Sequence, residues 1–323
     1  MKQLTEKTME SAEDALLQMG AAALRKAAIN AQAKDFLLNH KELFYLVKKA
    51  ADRYIGGETL KETVQKAGEQ NRLGFKCSIE YMGENASSPQ EASAAMEEFV
   101  RICHTIRAQG LHSTVSLDLS HIGLGISRQL CLEHLDQICT AAQSDIEVII
   151  SAEDCGKTED VLATYMEAAR LHPQLAITLQ AYLHRTADDF QTLLTYPGRI
   201  RVVKGAFDTP EGLSLPRGQR LNELYLQYID TLLSTGHDCS IATHDLHIQT
   251  EARKLIDLYQ PSHAQYEFES LYGIQTERLL SLKADGYMTK LYLVYGKEWY
   301  LYLCNRIAEH PVNLFQALAD IVA

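Results

Sequence analysis

The sequence lacks the features of a membrane-spanning, secreted or nucleic-acid-binding protein. Among its 323 residues, no stretch approaches the roughly 20 consecutive apolar residues of a membrane span, and its start has no apolar centre of the kind that a signal peptide needs. No run of Lys and Arg could follow a phosphate backbone, and Asp and Glu outnumber Lys and Arg by 42 to 31. We therefore expect a cytoplasmic protein that neither binds nucleic acid nor inserts stably into a membrane.

The common metal, redox and nucleotide motifs are also missing. The seven cysteines stand at irregular spacings with no CxxC pair, so we predict no metal site and reduced thiols that mostly pack in the core. No GxGxxG follows a β-prone run, and the chain has neither a GxSxG nucleophile elbow nor a Walker loop. Candidate chemistry therefore has to come from the arrangement of the elements.

Eight β-prone runs, each followed by an amphipathic segment, fill most of the chain. The runs are Phe75–Tyr81, Thr114–Leu119, Ile146–Ser151, Leu175–Ala181, Ile200–Phe207, Cys239–Thr243, Tyr266–Leu271 and Met288–Val294. They begin about every thirty residues, the length of one strand–helix unit of a TIM-type barrel. The pattern predicts a (β/α)8 barrel over 73–323, preceded by a helical extension over 1–72 that packs on it. The alternative is a doubly wound open sheet, but eight units and the missing GxGxxG favour the barrel.

In such a barrel the chemistry lies at the C-terminal ends of the strands. Lys204 stands in the apolar run VVKGA, where an ammonium is costly to bury without an anion. A bound phosphate or carboxylate could supply the anion, as could a structural ion pair with a Glu of a neighbouring strand. Thr243 and His244 end the sixth strand and fit a binding or structural role better than catalysis. We expect Glu267 and Glu269 to point to opposite sides, one into the barrel and one into the helix layer.

Five ordered strand ends resemble those of the flavin-dependent proline dehydrogenase family. They read QAYLHR (180–185), RVVKGAF (201–207), IATHD (241–245), YEFESLYGI (266–274) and LYLVYG (291–296), and WYLYLCNRIAEHPVNL resembles the last helix of the family. The resemblance covers about residues 73 to 316. It implies a distorted (β/α)8 barrel that holds FAD at the strand ends under a substrate-capping eighth helix. It also implies hydride transfer from the carbon beside the ring nitrogen of proline to flavin N5, with a quinone as electron acceptor.

The resemblance also assigns roles by position. It puts Arg201 and Lys204 at the flavin and its phosphates, and Gln180 at the isoalloxazine. Thr243 and His244 would lie at the phosphate and ribose region. The remaining implied positions are Gly205, Ala206 and Glu267 on the cofactor side, Leu271 and Tyr292 against the substrate ring, and Arg306 and Glu309 on the capping helix.

Four positions depart from the family pattern, all on the substrate side. The paired arginines of the last helix appear here as Asn305 followed by a single arginine, and the lysine of the second strand is replaced by Asp118. Ser151 stands where the family has an aspartate, and Phe207 where it has a tyrosine. The pair of guanidinium groups that would bind a substrate carboxylate is therefore incomplete.

These departures predict a pocket for a cationic or hydrogen-bond-donating group. Its substrate would be a small-molecule amine such as a cyclic amine, an amide or ester of proline, or a longer cationic amine. A buried Asp118 could hold or accept the proton of the amine. One alternative is ordinary L-proline, held by Arg306 alone and oxidised to 1-pyrroline-5-carboxylate. Another is a catalytically silent barrel with a binding or regulatory role. The sequence does not indicate an oligomeric state.

Overall fold

The computed structural model describes residues 30–309 together with residues 19, 20, 22–24 and 26, without the side chains of residues 31, 33, 38 and 309. Residues 1–18 of the predicted extension and the C-terminal residues 310–323 lie outside the described part.

Eight parallel strands form one closed barrel in chain order, with the last strand paired to the first. The strands are β1 Lys76–Tyr81, β2 Ser113–Leu117, β3 Val148–Ile150, β4 Leu175–Gln180, β5 Ile200–Val203, β6 Cys239–Ala242, β7 Tyr266–Leu271 and β8 Thr289–Tyr295. Each lies within or overlaps one of the eight predicted runs. The predicted (β/α)8 barrel is confirmed, and the open sheet is wrong.

Helices alternate with the strands of the barrel, and short polar side chains cap the start of four of them. They are α1 Ala31–Asn39, α2 Lys41–Ala51, α3 Leu60–Arg72, α4 Pro89–Ala108, α5 Arg128–Ala142, α6 Thr158–Ala168, α7 Thr186–Leu193, α8 Gln219–Thr235, α9 Leu246–Tyr259, α10 Thr276–Ala284 and α11 Trp299–Glu309. Before α4, the Ser88 side chain accepts a hydrogen bond from the Glu91 amide, and α8 ends at Gly236 in the left-handed region. None of the helices in the described part is long and apolar enough to cross a membrane.

The helices before the barrel share a second hydrophobic core with the last helix. Leu37 of α1 and Ala50 of α2 are buried in one cluster with Trp299 and Leu303 of α11. The indole Nε1 of Trp299 donates to Glu58 Oε1 over 2.7 Å. These contacts join the two ends of the described chain, while the domain boundary at residue 72 stays a prediction.

The inside of the barrel is polar. Successive side chains of a strand point to opposite faces, and the outward positions are apolar, as at Cys77 and Ile79 of β1. Branched apolar residues usually fill the interior of such barrels. Here the inward positions include Ser78, Glu80, Ser116, Ser151, Thr178, Gln180, Arg199, Arg201, Ser240, Glu267, Glu269 and Lys290, all buried. The interior can therefore hold charged groups only if they compensate one another.

All seven cysteines are free thiols. Six are buried and Cys155 is half-buried, which confirms the prediction of reduced thiols that mostly pack in the core.

Candidate active site

A buried lysine pairs with two carboxylates in the half of the barrel nearer the N-terminal ends of the strands. Lys290 is fully buried, and its Nζ lies 2.5 Å from Glu267 Oε1 and 2.9 Å from Glu269 Oε2. Both carboxylates therefore point into the barrel, and the prediction that they face opposite sides is wrong. Residues two apart on a strand share a face, so only neighbours in sequence alternate.

Further cations compensate these carboxylates towards the N-terminal end of the strands. Lys76 Nζ lies 3.1 Å from Glu267 Oε2, and Arg199 Nε lies 2.8 Å from Glu147 Oε2. Burial by itself would raise the pKa of Glu267, but the nearby cations hold that pKa well below its ordinary value. Glu267, a predicted cofactor-side residue, thus lies in the deep charged layer near the start of β7.

Arg201 connects this layer to the mouth of the barrel. Its guanidinium is buried and donates to Thr178 Oγ1 over 2.8 Å and to Glu269 Oε1 over 3.0 Å. It also donates to Ser116 Oγ and to Ser151 Oγ, each over 3.1 Å. These four acceptors hold the guanidinium inside the barrel, beneath the strand ends where a flavin is expected.

Glu80 of β1 lies at the mouth and was missed by the sequence analysis. Its Oε2 accepts a hydrogen bond from Ser151 Oγ over 2.9 Å and a second one from Tyr292 Oη. The Arg201 guanidinium lies 5.2 Å from the centre of the Tyr292 ring. Burial raises the pKa of Glu80, against the lowering effect of Tyr292 and Arg201. The signal in the sequence was the polar alternation of Ser78 and Glu80, whose period of two marks an inward face.

Asp118 follows β2 at the same mouth and has no such support. It is half-buried, and no residue in the described part of the chain donates a hydrogen bond to its carboxylate. Burial, followed by repulsion from Glu80, Glu153 and Glu84, raises the pKa of Asp118 well above its ordinary value, against the lowering effect of Lys157.

A count of the charges singles out Asp118. Inside the barrel, four cations (Lys76, Arg199, Arg201 and Lys290) meet four carboxylates (Glu80, Glu147, Glu267 and Glu269). At the rim, Glu153 Oε2 lies 3.0 Å from Lys157 Nζ. Among the residues that the structure describes at the mouth, Asp118 is a partly buried carboxylate with neither an ion pair nor a side-chain donor, whereas Glu80 accepts from Ser151 and Tyr292 and Glu84 is exposed.

The positions expected on the cofactor side surround the other half of the mouth. Lys204 Nζ lies 2.6 Å from Asp245 Oδ2, so the partner of this lysine is an aspartate after β6 and not a glutamate within a neighbouring strand. Gln180 Nε2 donates to the Glu153 carbonyl over 2.9 Å, whereas its buried Oε1 has no hydrogen-bond partner within the described chain.

Thr243 and His244 follow β6 directly, and their side chains accept hydrogen bonds from neighbouring backbone amides. Thr243 Oγ1 accepts from the Asp245 amide over 3.1 Å, and His244 Nε2 accepts from the Leu271 amide over 3.3 Å. This fixes the end of β7 beside β6. Leu271 is also paired in register with Tyr292 of β8, so these two predicted substrate-side residues lie side by side.

The segment after β5 needs a glycine. Gly205 has φ +110, and a Cβ there would lie 2.2 Å from the ring of Tyr182. Tyr182 Oη donates to the Phe207 carbonyl over 3.1 Å. The predicted cofactor-side residues Gly205 and Ala206 therefore belong to a turn that lies close against Tyr182, and the exposed Phe207 follows it.

The predicted capping residues lie on α11. Asn305 and Arg306 are half-buried, and the Arg306 guanidinium lies 5.0 Å from the centre of the Tyr302 ring. The side chain of Glu309 lies outside the described part of the chain.

Comparison with known proteins gives consistent matches. The family profile described as "Proline dehydrogenase" matches residues 63–313. Proline dehydrogenase 1 of Bacillus subtilis is 34% identical over 280 residues, which are 86% of this chain and 92% of the relative. Proline dehydrogenase of Deinococcus radiodurans is 28% identical over 271 residues, covering 81% of this chain and 87% of the relative.

A solved structure shares the fold. Proline utilization A (PutA) from Bdellovibrio bacteriovorus, inactivated by N-propargylglycine, superposes with a TM-score of 0.78 at 17% identity. The match covers 90% of this chain but only 37% of that protein, so this chain corresponds to about a third of its length.

Proposed function

Because the chain belongs to the proline dehydrogenase family, we propose that it removes a hydride from the carbon beside the nitrogen of a cyclic or secondary amine other than free proline. The chain is an oxidoreductase that acts on a CH–NH group. The family is flavin-dependent, and the proposed cofactor is FAD with its N5 as hydride acceptor. A quinone acceptor and a cytoplasmic location stay predictions.

The residues present at the strand ends fit an FAD. Gln180 Oε1 is a buried acceptor without a partner in the described chain, which suits an N–H group of an isoalloxazine. Lys204 is a half-buried cation near the start of α9, and such a place suits a phosphate. The turn at Gly205 lies close against Tyr182, where a Cβ would clash with the ring. We infer that these residues, with Thr243, would hold the cofactor.

The observation that carries the substrate proposal is the uncompensated carboxylate of Asp118. A substrate carboxylate placed there would be repelled by Asp118, Glu80 and Glu153 together. An ammonium would instead relieve the repulsion that raises the pKa of Asp118. The preferred ligand is therefore a cation or an N–H donor.

The same residue can prepare the amine for oxidation. The nitrogen must lose a proton first, because its lone pair forms the C=N bond as the hydride leaves. Asp118 has a raised pKa and is partly accessible to solvent, so it can accept that proton and pass it to water. Leu271 and Tyr292, side by side at the mouth, would orient the ring.

Ordinary L-proline is the second candidate. The relatives named proline dehydrogenase and the retained Arg306 support it. With one guanidinium and a facing Asp118, however, proline would bind weakly.

A charge-restoring double variant tests the substrate class. Asp118→Lys with Asn305→Arg should raise kcat/KM for proline by about tenfold or more and lower that for pyrrolidine by a similar factor. The control carries Glu277→Lys, an equal charge change on the exposed start of α10, together with Asn305→Arg. If the double variant gains no proline turnover over this control, the substrate proposal is wrong.

A further inference from the structure

The hydroxyl of Tyr292 has one proton, and a hydrogen bond within the protein uses that proton. Tyr292 Oη donates to Glu80 Oε2. Burial, together with the charge of Glu80, raises the pKa of Tyr292 well above its ordinary value, so the phenol keeps this proton at neutral pH. The phenol oxygen therefore has only its lone pairs left to offer to a ligand.

The hydroxyl of Ser151 likewise donates its proton to Glu80. A guanidinium can only donate, so Ser151 Oγ accepts from Arg201 Nη2 over 3.1 Å and gives its own proton to Glu80 Oε2 over 2.9 Å. Glu80 thus receives two donors on one oxygen. Its other oxygen, Oε1, accepts no hydrogen bond from any residue in the described part of the chain.

We propose that Glu80 is the positioning residue that makes Tyr292 an acceptor and so selects substrates that present an N–H group. With Glu80 in place, a ligand beside Tyr292 meets phenol lone pairs, the open oxygen of Glu80 and the carboxylate of Asp118. When both carboxyl groups are ionised, all three groups accept hydrogen bonds and none donates one. A substrate carboxylate at this place would find no donor, whereas an ammonium or a neutral amine would find several acceptors.

The direction of the network depends on Glu80 being a pure acceptor. The groups that face it are Tyr292 on β8, Arg201 on β5, Ser151 and Glu153 just after β3, and Asp118 just after β2. A glutamine at position 80 could turn its amide NH₂ towards Tyr292 Oη, and the phenol proton would then be free to reach a ligand. Glu80→Gln should therefore allow Tyr292 Oη to donate a hydrogen bond to a ligand, with little change in the shape of the side chain at position 80.

Two ligands of equal shape and opposite polarity give the test. tert-Butylammonium and pivalate carry the same tert-butyl group, and neither can be oxidised because the carbon that bears the charged group has no hydrogen. Their dissociation constants can be measured by calorimetry and by perturbation of the flavin absorbance of the FAD-loaded protein. In the unmodified protein we expect tert-butylammonium to bind about tenfold or more tightly than pivalate. Glu80→Gln should reduce this preference by about tenfold.

Two further variants separate positioning from general electrostatics. Glu84→Gln makes the same charge change at an exposed carboxylate near Asp118 that does not bond Tyr292. Tyr292→Phe should itself lower the ammonium preference, and adding Glu80→Gln to it should have a much smaller effect than in the unmodified protein.

The inference rests on the proposed function, and the two can fail separately. If the unmodified protein prefers pivalate, the proposed substrate class fails and the role of Glu80 fails with it. If the unmodified protein prefers tert-butylammonium but Glu80→Gln and Glu84→Gln change the preference equally, only the role of Glu80 is overturned. Should Glu80→Gln not fold, an undiminished ammonium preference in Tyr292→Phe would overturn it as well.

Discussion

At the scale of single residues, the ionisation of Asp118 lowers the stability of the fold. A carboxyl group whose pKa is raised on folding binds its proton more tightly in the folded state than in the unfolded state. Its ionisation therefore destabilises the fold. The loss of stability begins as the pH rises above the ordinary pKa and is complete above the raised pKa.

Asp118→Asn should accordingly stabilise the protein while weakening amine binding. At about pH 8 we expect the free energy of unfolding to rise by roughly 1–3 kcal/mol, because a half-buried carboxylate without an ion pair is removed. At about pH 3 the variant should equal the unmodified protein, since the carboxyl is then protonated in both states. Urea unfolding at both pH values measures this. The control, Glu97→Gln on the exposed face of α4, should change stability by less than about 0.5 kcal/mol. A loss of stability in Asp118→Asn at the higher pH would contradict this account of the site.

At the scale of elements, the sequence was sufficient for the strands but not for the contacts between them. Each run of β1 to β8 was recognised because apolar residues recur at a different interval in a strand than in the helix that follows it. Side chains that meet across the barrel are far apart in sequence, as Glu80 and Ser151 are, or Ser116 and Arg201. Their meeting depends on closure and on the stagger of the strands, which no local pattern contains.

What the sequence analysis got wrong or left open about the interior has physical causes. Glu267 and Glu269 were assigned to opposite faces, although the period of two places them together on Lys290. For Lys204 the sequence left open a bound anion or a glutamate of a neighbouring strand, and in the structure Asp245 reaches it from the turn that precedes α9. Glu80 and Lys290 were passed over because neither belongs to a motif. A systematic reading of alternate positions along each strand would have found both.

The charged layer between β7 and β8 gives a prediction of its own. Lys290→Met should destabilise the protein by about 3–5 kcal/mol, because it leaves two buried carboxylates with less compensation. Chemical denaturation measures the change. Lys254→Met, which removes a well-exposed ammonium on α9, should cost less than about 1 kcal/mol. Equal effects of the two substitutions would mean that the interior charges contribute no more than surface pairs.

At the scale of the whole molecule, the interior and the surface carry different charges. The chain has a formal net charge of −11. Inside the barrel, by contrast, four cations are balanced by four carboxylates. The excess negative charge lies at the surface and at the mouth, where it attracts cationic ligands over a distance of about a Debye length. The fold is that of its family, and Asp118 lies at the mouth, where we propose that the substrate enters.

The central claim is that the flavin half of the site is complete while the substrate half prefers an amine without a free carboxylate. An anaerobic titration of the FAD-loaded protein tests it, with proline, proline amide and pyrrolidine added in turn while the absorbance of oxidised flavin is followed. We expect proline amide and pyrrolidine to bleach the flavin at concentrations about tenfold or more below those that proline requires. Bleaching by proline at the lowest concentration of the three would contradict the claim and make the chain an ordinary proline dehydrogenase.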